Sequence, residues 1–199
     1  MTNPSVSILL PIRNEEDFIP QTLKSIIEQD YPKEKLELVI ADGDSNDGTI
    51  YEINKLKKEF YNLKILKNKH KTMPKGFNLA LNSSKSDIVL MLGGHSELPK
   101  NYISKSVQNI KNYNSSCAGG VIQATGDSFW GNVIARSISS VFGVGNVPFR
   151  LKNSKSGYVN SIPFGCYKRS IFDIIGGLDE ELTRNQDDEF NFRMSQSGY

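Results

Sequence analysis

Strand and helix patterns alternate along the chain from Ser5 to Ile110, and this alternation restricts the possible folds more than any other feature. Short apolar runs typical of buried strands lie at Ser5–Ile12, Leu38–Ile40, Leu63–Leu66 and Asp87–Leu92. Between and after these runs, apolar residues recur at three- and four-residue spacing, as on one face of an amphipathic helix. The alternation predicts an α/β fold with a doubly wound, mostly parallel central sheet flanked by helices and right-handed crossovers.

The second apolar run leads into a stretch of turn-forming residues. After Asp42 the chain continues Gly-Asp-Ser-Asn-Asp-Gly to Thr49, where a helix is expected to begin. Asp42 would lie at the carboxyl end of a strand, where open α/β sheets bind ligands, and its carboxylate could accept hydrogen bonds from a base or a ribose. Asp47 or Ser45 could cap the helix. The alternative is that these polar residues only form a turn and a cap.

The pattern changes beyond Ile110. We predict strands over Cys117–Gln123 and Tyr158–Phe164, and helices over Phe129–Val141, Ser170–Ile175 and Gln186–Gly198. The last helix ends just before the chain does, which leaves open whether the protein ends there or is a piece of a longer chain. A loop rich in Gly, Asn, Pro and basic residues covers Gly143–Gly157, and loops of this length usually serve a function.

Two features of this second half are candidates for ligand contacts. Arg150 and Lys152 lie in the long loop with aromatic residues nearby, which favours a segment that contacts or closes over a ligand. Trp130 could stack on a ligand ring, although a tryptophan at helical spacing is more typical of a core position.

Charge and cysteine content narrow the possible partners. The 24 lysine and arginine residues nearly balance 22 aspartates and glutamates, so nucleic acid is not an expected partner. Cys117 and Cys166 are too far apart for a metal or redox motif, and we predict that both are free thiols in a reducing compartment. The sequence has no signal peptide and no apolar run of membrane-spanning length, so the expected location is the cytoplasm.

Four polar clusters stand at predicted strand ends or helix starts: Arg13–Glu15, Asp42–Asp47, Gly93–Glu97 and Gln186–Glu189. Strand ends in a doubly wound sheet meet at one edge, so we expect these clusters to converge although they are far apart in sequence. Their convergence favours one shared ligand site over four unrelated turns.

The order of these motifs resembles that of the family 2 glycosyltransferases, enzymes of the GT-A fold that use nucleotide sugars. The matching segments are Ser7–Glu16, Val39–Thr49, Lys75–Ala80, Asp87–His95, Gly177–Glu180 and Asp187–Glu189. The segments similar to the succinoglycan-type exopolysaccharide transferases are Phe142–Asn146, Phe164–Arg169 and Asn185–Asn191. Each motif alone is weak, but their order and spacing are specific and cover nearly the whole chain.

The resemblance implies a single GT-A domain over residues 1–199, with a Rossmann-like nucleotide-sugar-binding half at 1–97 and an acceptor and catalytic half at 98–199. It implies inverting transfer of a sugar from a nucleotide diphosphate donor, most often a UDP-sugar, to a saccharide or lipid-linked acceptor in polysaccharide biosynthesis. A lipid-linked acceptor makes the inner face of the cell membrane a second expected location. Any membrane association is expected from regions outside this chain.

The resemblance also implies residue roles, position by position. Asp187 falls on the family's catalytic carboxylate, a base for the acceptor hydroxyl, although an acidic residue there could also serve only the helix dipole. The nucleotide-binding positions are Pro11, Arg13, Glu15, Asp42, Asp44, Lys75 and Gly93, with Asp47 bracing their loop. The acceptor-binding positions are Asp188, Arg150 and Phe164.

The metal-binding element departs from the family pattern. GT-A enzymes hold Mn²⁺ or Mg²⁺ through an Asp-x-Asp element after the fourth strand, and the cation balances the charge of the leaving diphosphate. Here the element reads Gly93-Gly94-His95. The resemblance implies a divalent cation with His95 as a ligand and Glu97 as a substitute ligand. The alternative is a loop histidine that binds no metal.

Two other functions remain open at this point. Gly93 in place of the first aspartate is compatible with a catalytically impaired module of GT-A fold that binds a nucleotide or a partner without turnover. A glycoside hydrolase also needs paired carboxylates, but that function would not explain the polar residues at the strand ends.

Overall fold

The computed structural model describes residues 3–126, 128–145, 147–151 and 156–199. Within these ranges the strands are β1 Val6–Ile12, β2 Leu36–Asp42, β3 Leu63–Lys67, β4 Ile88–Met91, β5 Cys117–Ala118 and β6 Cys166–Lys168. They form a sheet in the order β3-β2-β1-β4-β6-β5. Strands β1 to β4 run parallel, and β6 is antiparallel to β4 and to β5. The prediction of a mostly parallel central sheet is confirmed.

In the described ranges the sheet is accompanied by eight α-helices, and six of them cover its two faces. In the described residues they are α1 Ile19–Ile27, α2 Thr49–Leu56, α3 Met73–Ser83, α4 Tyr102–Asn112, α5 Phe129–Ser137, α6 Val141–Val144, α7 Arg169–Ile175 and α8 Gln186–Gln196. The buried residues of α1, α2 and α4 form one core cluster with the sheet. Those of α3, α7 and α8 form a second cluster on the other face.

Side-chain alternation along β1 explains why both layers are needed. Ile8 and Leu10 belong to the first core cluster, whereas Leu9 belongs to the second. All residues of β1 are buried. A parallel strand covered on both faces is mostly apolar, and this is why the sequence runs that predict β1, β2 and β4 lack polar alternation. Two buried exceptions, Ser7 and Glu37, pair with each other, since Ser7 Oγ donates a hydrogen bond to Glu37 Oε2 at 2.7 Å.

The antiparallel part of the sheet differs from the prediction. The segment Tyr158–Phe164 contains no strand in the described structure, and Cys166–Lys168 pairs with β4 instead. Pro163 has no N–H for a strand ladder, and Phe164 has a φ of 54°, so the chain turns before it can pair.

Two other elements are shorter than predicted. The strand expected over Cys117–Gln123 ends at Ala118, where two glycines follow. The helix expected over Phe129–Val141 divides into α5 and α6. Ser140 accepts a hydrogen bond from the Gly143 N–H at 3.2 Å and so starts a new helix, because serine oxygens compete for backbone donors.

Several side-chain predictions can be compared directly with the structure. Trp130 is exposed, so the prediction of a core position for it is wrong. Both cysteines are free thiols as predicted, and burial raises the pKa of Cys166 to about 12, which makes this thiol unreactive.

The predicted contact residue Lys152 lies outside the described residues. In the part of the chain that the structure describes, every helix is too short or too polar to cross a bilayer.

Candidate functional site

The loops that follow β1 and β2 are joined by hydrogen bonds at the carboxyl end of the sheet. The Asn14 N–H donates to Ser45 Oγ at 2.9 Å, and the Asn46 N–H donates to Asn14 Oδ1 at 3.0 Å. The Glu15 N–H donates to Thr49 Oγ1 at 2.8 Å. Asn14 has a φ of 55°, in the left-handed region that asparagine tolerates. The first two polar clusters of the sequence therefore form one structural unit.

Asp42 lies at the end of β2, directly beside Ile12 of β1. Its carboxylate is 9% exposed and accepts a hydrogen bond from Ser45 Oγ at 2.6 Å. Asp47 accepts hydrogen bonds from the Thr49 N–H at 3.0 Å and from Thr49 Oγ1 at 2.6 Å. The N-cap of α2 is Gly48, so neither predicted residue occupies that position. Asp47 nevertheless binds the N–H of Thr49, the first residue of α2, whereas Ser45 holds Asp42 in place.

Asp44 belongs to the same loop but is directed toward the end of β3. Its two carboxylate oxygens each lie 2.8 Å from a lysine ammonium, one from Lys67 and one from Lys71. Hydrogen bonds from Lys67 and Lys71 lower the pKa of Asp44 to about 2. Asp44 is therefore ionised and neutralised by its own neighbours.

The start of α3 packs against the end of β1. A Cβ atom added to Gly76 would lie 3.0 Å from Pro11 Cβ and 2.9 Å from Asn68 Nδ2, so only glycine allows this approach. Lys75, the preceding residue, is therefore held near Pro11. Within the described residues, neither the Lys75 ammonium nor the Arg13 guanidinium has an ion-pair or hydrogen-bond partner.

The turn after β4 lies directly on the loop that follows β1. A Cβ atom on Gly94 would lie 2.8 Å from Glu15 Cγ and 2.9 Å from Ile12 Cγ2, and the Gly94 carbonyl accepts a hydrogen bond from Thr22 Oγ1 at 2.8 Å. His95 Nδ1 lies 3.2 Å from Glu15 Oε1. The third polar cluster therefore joins the first two, as the sequence predicted.

Gly93 has space for a side chain, in contrast to Gly94. An added Cβ would lie 3.4 Å from Ser96 Oγ and 3.5 Å from Phe164 Cε1, which are ordinary contacts. Phe164 is held there because its carbonyl accepts a hydrogen bond from Tyr102 Oη at 2.6 Å. The segment before β6 thus reaches the turn after β4.

The fourth polar cluster forms the first turn of α8, where Asp187, Asp188 and Glu189 face the positive end of the helix dipole. Asp188 Oδ1 accepts a hydrogen bond from Ser161 Oγ at 2.7 Å. Asn191 Nδ2 donates to the Asp187 carbonyl at 2.7 Å. This network fixes the start of α8 against the segment that leads to Phe164.

Asp187 has an unusual electrostatic environment. Desolvation by burial, followed by the negative charge of Asp188, raises its pKa above the ordinary value of 3.8, while the positive charge of Arg150 acts in the opposite direction. A carboxylate with a raised pKa is a stronger base than an exposed aspartate. The Arg150 charge is thus close enough to act on Asp187, and a shared role of the two residues in acceptor binding stays a prediction.

The predicted residues therefore form two groups joined by one segment. One group lies at the carboxyl end of the sheet, around Asp42 and His95, and the other at the start of α8. Residues 161–164 connect them, since Phe164 contacts Gly93 and Ser161 binds Asp188. Sequence reasoning missed Ser161 and Tyr102, because neither stands at a predicted strand end or in a motif.

The turn after β4 supplies few ligands for a metal ion. In the described ranges no three His, Cys, Asp or Glu side chains are grouped to hold one. His95 and Glu15 are adjacent, Glu97 is exposed, and Gly93 contributes no donor atom. This donor set fits a divalent cation only if a diphosphate supplies further oxygen ligands.

Curated relatives match this chain along its length. A dolichyl N-acetyl-alpha-D-glucosaminyl phosphate 3-beta-D-2,3-diacetamido-2,3-dideoxy-beta-D-glucuronosyltransferase from Methanococcus voltae is 29% identical and covers 98% of this chain. The succinoglycan biosynthesis protein ExoA from Rhizobium meliloti is 24% identical and covers all of it. The similarity therefore does not single out the succinoglycan branch. The chain spans 62% and 60% of the length of these two relatives.

Solved structures of similar fold contain nucleotide ligands. TarS 1-349 from Staphylococcus aureus in complex with UDP-GlcNAc has a TM-score of 0.72 and 23% identity, over 96% of this chain and 53% of its own. The mannosyltransferase PcManGT from Pyrobaculum calidifontis, in complex with GDP-Man and Mn²⁺, has a TM-score of 0.75 and 19% identity, over 100% of this chain and 54% of its own. These likenesses confirm the GT-A fold.

A family model, described as Glycosyl transferase family 2, matches residues 7–175. The match includes the three strand-end clusters around Asp42, Glu15 and His95, which the structure brings together. The chain therefore belongs to glycosyl transferase family 2.

Proposed function

We propose that this chain transfers a sugar from a UDP-sugar to a saccharide or lipid-linked acceptor, with inversion, in the synthesis of a polysaccharide. The observation that carries the proposal is the position of Asp187 in the first turn of α8. Ser161 binds the neighbouring Asp188, and Phe164 of the same segment lies beside Gly93 at the carboxyl end of the sheet. Burial raises the pKa of Asp187. Nucleotide sugars bound by structures of the same fold support a donor site at that end.

The donor nucleotide is proposed to bind among the loops that follow β1 and β2. Asp42 is buried and fixed by Ser45, so its carboxylate is oriented to accept hydrogen bonds from a base or a ribose. Pro11 and Glu15 would form the adjacent wall. Asp44 would shape the loop through its lysine pairs rather than touch the nucleotide itself.

The diphosphate is proposed to meet unpaired cations. The Arg13 guanidinium and Lys75 ammonium have no ion-pair partner in the described residues, and both lie near the end of β1, so they can attract phosphate charge. Gly93 would allow the donor to approach the backbone after β4, since no side chain occupies that position.

A divalent cation, Mn²⁺ or Mg²⁺, would be held by His95, with Glu97 as a substitute ligand and diphosphate oxygens completing the set. A hydrogen bond from His95 Nδ1–H to Glu15 Oε1 would leave Nε2 as the ring nitrogen with a free lone pair. When bound, the cation would neutralise charge on the leaving diphosphate. The Mn²⁺ in the PcManGT complex supports this assignment.

Asp187 is proposed as the general base. It would take the proton of the acceptor hydroxyl as that oxygen attacks the anomeric carbon, while the bond to the diphosphate breaks and UDP leaves with the electron pair. A single displacement from the opposite face inverts the anomeric centre. Partial burial favours this role, because desolvation raises the basicity of the carboxylate.

The acceptor is proposed to lie between α8 and the segment before β6. Asp188, Arg150 and Phe164 border this space and could bind sugar hydroxyls and a sugar face. On this assignment, residues 1–97 bind the donor and residues 98–199 bind the acceptor and supply the base. The cytoplasmic location, including the inner face of the membrane, stays a prediction.

A module of GT-A fold without activity is the less favoured function. Gly93 in place of the first aspartate of the metal-binding element favours that function. Against it, His95 Nδ1 lies 3.2 Å from Glu15 Oε1, and Asp187 is partly buried with a raised pKa. The relatives of this chain are also named as transferases.

The proposal is tested by UDP release from a panel of UDP-sugars, with water or added saccharides as acceptor. Asp187→Asn should lower the rate by roughly a hundredfold or more, the usual loss of a general base. Asp173→Asn, an exposed aspartate on α7, should keep the wild-type rate. The Asp187→Asn protein should be at least as heat-stable as wild type, because desolvation penalises the charged carboxylate. Equal rates for the wild type and Asp187→Asn would contradict the proposal.

A further inference from the structure

Helix α5 presents its apolar side to solvent. Phe129, Trp130 and Ile134 are 74%, 71% and 59% exposed, and Val133 is exposed as well. Ala135 is the only buried residue of this helix, and helical geometry puts it on the side opposite the apolar residues. The helix therefore packs on the protein through its small side and leaves its large apolar residues without a partner.

Helix α6 adds to this surface. Val141 is 59% exposed, and the Phe142 side chain is fully exposed. A Cβ atom on Gly143 would lie 2.0 Å from the Ser137 carbonyl oxygen, so the two helices are packed tightly together. We call the exposed apolar residues of both helices the apolar ridge: Phe129, Trp130, Val133, Ile134, Val141 and Phe142.

The apolar ridge lies in a long stretch of sequence, between Asp127 and Asp173, whose charged residues are all basic. All 22 acidic residues of the protein lie outside the segment from Ser128 to Phe172. The basic residues within that segment are Arg136, Arg150, Lys152, Lys155, Lys168 and Arg169. In the rest of the chain acidic and basic residues are interspersed. The segment therefore has a local positive charge, although the net charge of the whole chain is only +2.

We infer that the apolar ridge binds the surface of an anionic lipid bilayer. Aromatic and aliphatic side chains on one face of a short helix enter the interface between head groups and acyl chains. Basic residues beside them are attracted to anionic lipids. A second copy of this chain is a poor occupant, because two segments of the same positive charge repel each other.

The apolar ridge is close in sequence to Arg150 of the proposed acceptor site, which follows Phe142 by eight residues. The Ile122 N–H donates to the Phe149 carbonyl at 2.7 Å, which fixes the segment that carries Arg150, and the Arg150 charge acts on Asp187. Bilayer contact would thus bring a lipid-linked acceptor toward Asp187. Only this consequence rests on the proposed function, since lipid binding itself needs no donor or acceptor.

Trp130 is the only tryptophan of the chain, so its fluorescence reports on the ridge directly. The protein is titrated with vesicles of phosphatidylcholine and phosphatidylglycerol, and with vesicles of phosphatidylcholine alone. We expect a blue shift of the emission with the anionic vesicles only, reduced by high salt. An unchanged emission at excess anionic lipid, or an equal shift with both vesicle types, would overturn the inference.

Variants locate the contact by co-sedimentation with the same vesicles. Phe129→Ser/Ile134→Ser keeps Trp130 and should lower the partition constant on the order of tenfold, as should Arg136→Glu. Tyr61→Ser/Tyr113→Ser, two tyrosines of similar exposure outside the ridge, should bind like wild type. Wild-type binding by the ridge variants would overturn the inference.

Self-association gives a separate readout from the same samples. A blue-shifted emission without lipid that grows with protein concentration, together with a dimer mass, would assign the ridge to a second copy instead of a bilayer. If the wild-type protein binds the anionic vesicles but releases no UDP from any UDP-sugar, that result would count against the proposed function and not against lipid binding.

Discussion

The basicity of Asp187 depends on two charged neighbours that act in opposite directions. Asp188 raises its pKa and Arg150 lowers it, with desolvation as the larger cause of the net upward shift. An acidic group works as a base only when it is ionised, so a raised pKa moves the loss of activity to a higher pH. The pH profile of turnover therefore reports on this residue.

The two neighbours should shift the acidic limb of kcat/KM in opposite senses. Asp188→Asn removes a like charge, so the Asp187 pKa falls and activity persists to lower pH. Arg150→Ala removes an opposite charge, so the pKa rises and activity is lost at higher pH. Both shifts are read from UDP release as a function of pH, with Asp173→Asn as the control expected to keep the wild-type midpoint. Shifts in the same sense for both variants would rule out Asp187 as the titrating base.

Several residue assignments needed only the sequence. Asp42 and His95 stand at or just after the ends of predicted strands, and the position of a strand end is enough to predict that both lie at the same edge of the sheet. The contact between Ser161 and Asp188 was not predictable, because no periodicity or motif marks a single serine before a strand. The ion pairs of Asp44 depend on where the loop after β3 lies, which a sequence pattern does not encode.

At the scale of elements, the turn after β4 distinguishes two adjacent glycines. Gly94 lies against Glu15 and Ile12, whereas Gly93 faces a space bordered by Phe164. The sequence alone does not distinguish these two glycines, and their different roles follow only from the residues that pack against each of them. Gly94 permits the close approach of two loops, and Gly93 leaves room beside the proposed donor site.

Alanine substitution should separate these two roles. Gly94→Ala places a Cβ within 2.9 Å of Ile12 Cγ2. It should lower the free energy of unfolding by about 1–3 kcal/mol through overpacking. Gly93→Ala makes only ordinary contacts and should stay within about 0.5 kcal/mol of wild type. Urea unfolding measures both. Equal losses for the two variants would contradict the placement of this turn.

Parallel strands were more predictable than the antiparallel ones. A strand buried on both faces is mostly apolar, and this signal marked β1, β2 and β4 correctly, although Ser7 and Glu37 are also buried in β1 and β2. Strands β5 and β6 are two and three residues long, too short for a pattern to appear. Helix α5 has a helical period, but its apolar face points outward, and periodicity alone gives no direction.

At the scale of the molecule, α8 joins the proposed base to the core. Phe190 is fully buried and stacks on Phe172 with ring centroids 4.8 Å apart, and its ring also meets Tyr167 edge-on. The helix that carries Asp187 is therefore anchored on the same sheet that carries Asp42. The two groups of site residues are held by one continuous fold.

Removal of this anchor should destabilise the whole chain. Phe190→Ala should cost about 3–5 kcal/mol in the free energy of unfolding, as for other buried aromatic residues. Phe192→Ala, on the same helix but 64% exposed, should cost less than about 0.5 kcal/mol. Chemical denaturation followed by circular dichroism gives both values. A small loss for Phe190→Ala would mean that α8 is not part of the cooperative core.

The central claim, a nucleotide site at the carboxyl end of the sheet, is tested most directly by calorimetric titration with UDP. UDP should bind, Asp42→Ala should weaken binding roughly tenfold or more, and Mn²⁺ should strengthen binding in wild type but not in His95→Ala. GDP and Asp173→Asn serve as ligand and protein controls. Absence of UDP binding by the folded protein, or equal binding by Asp42→Ala, would contradict the account.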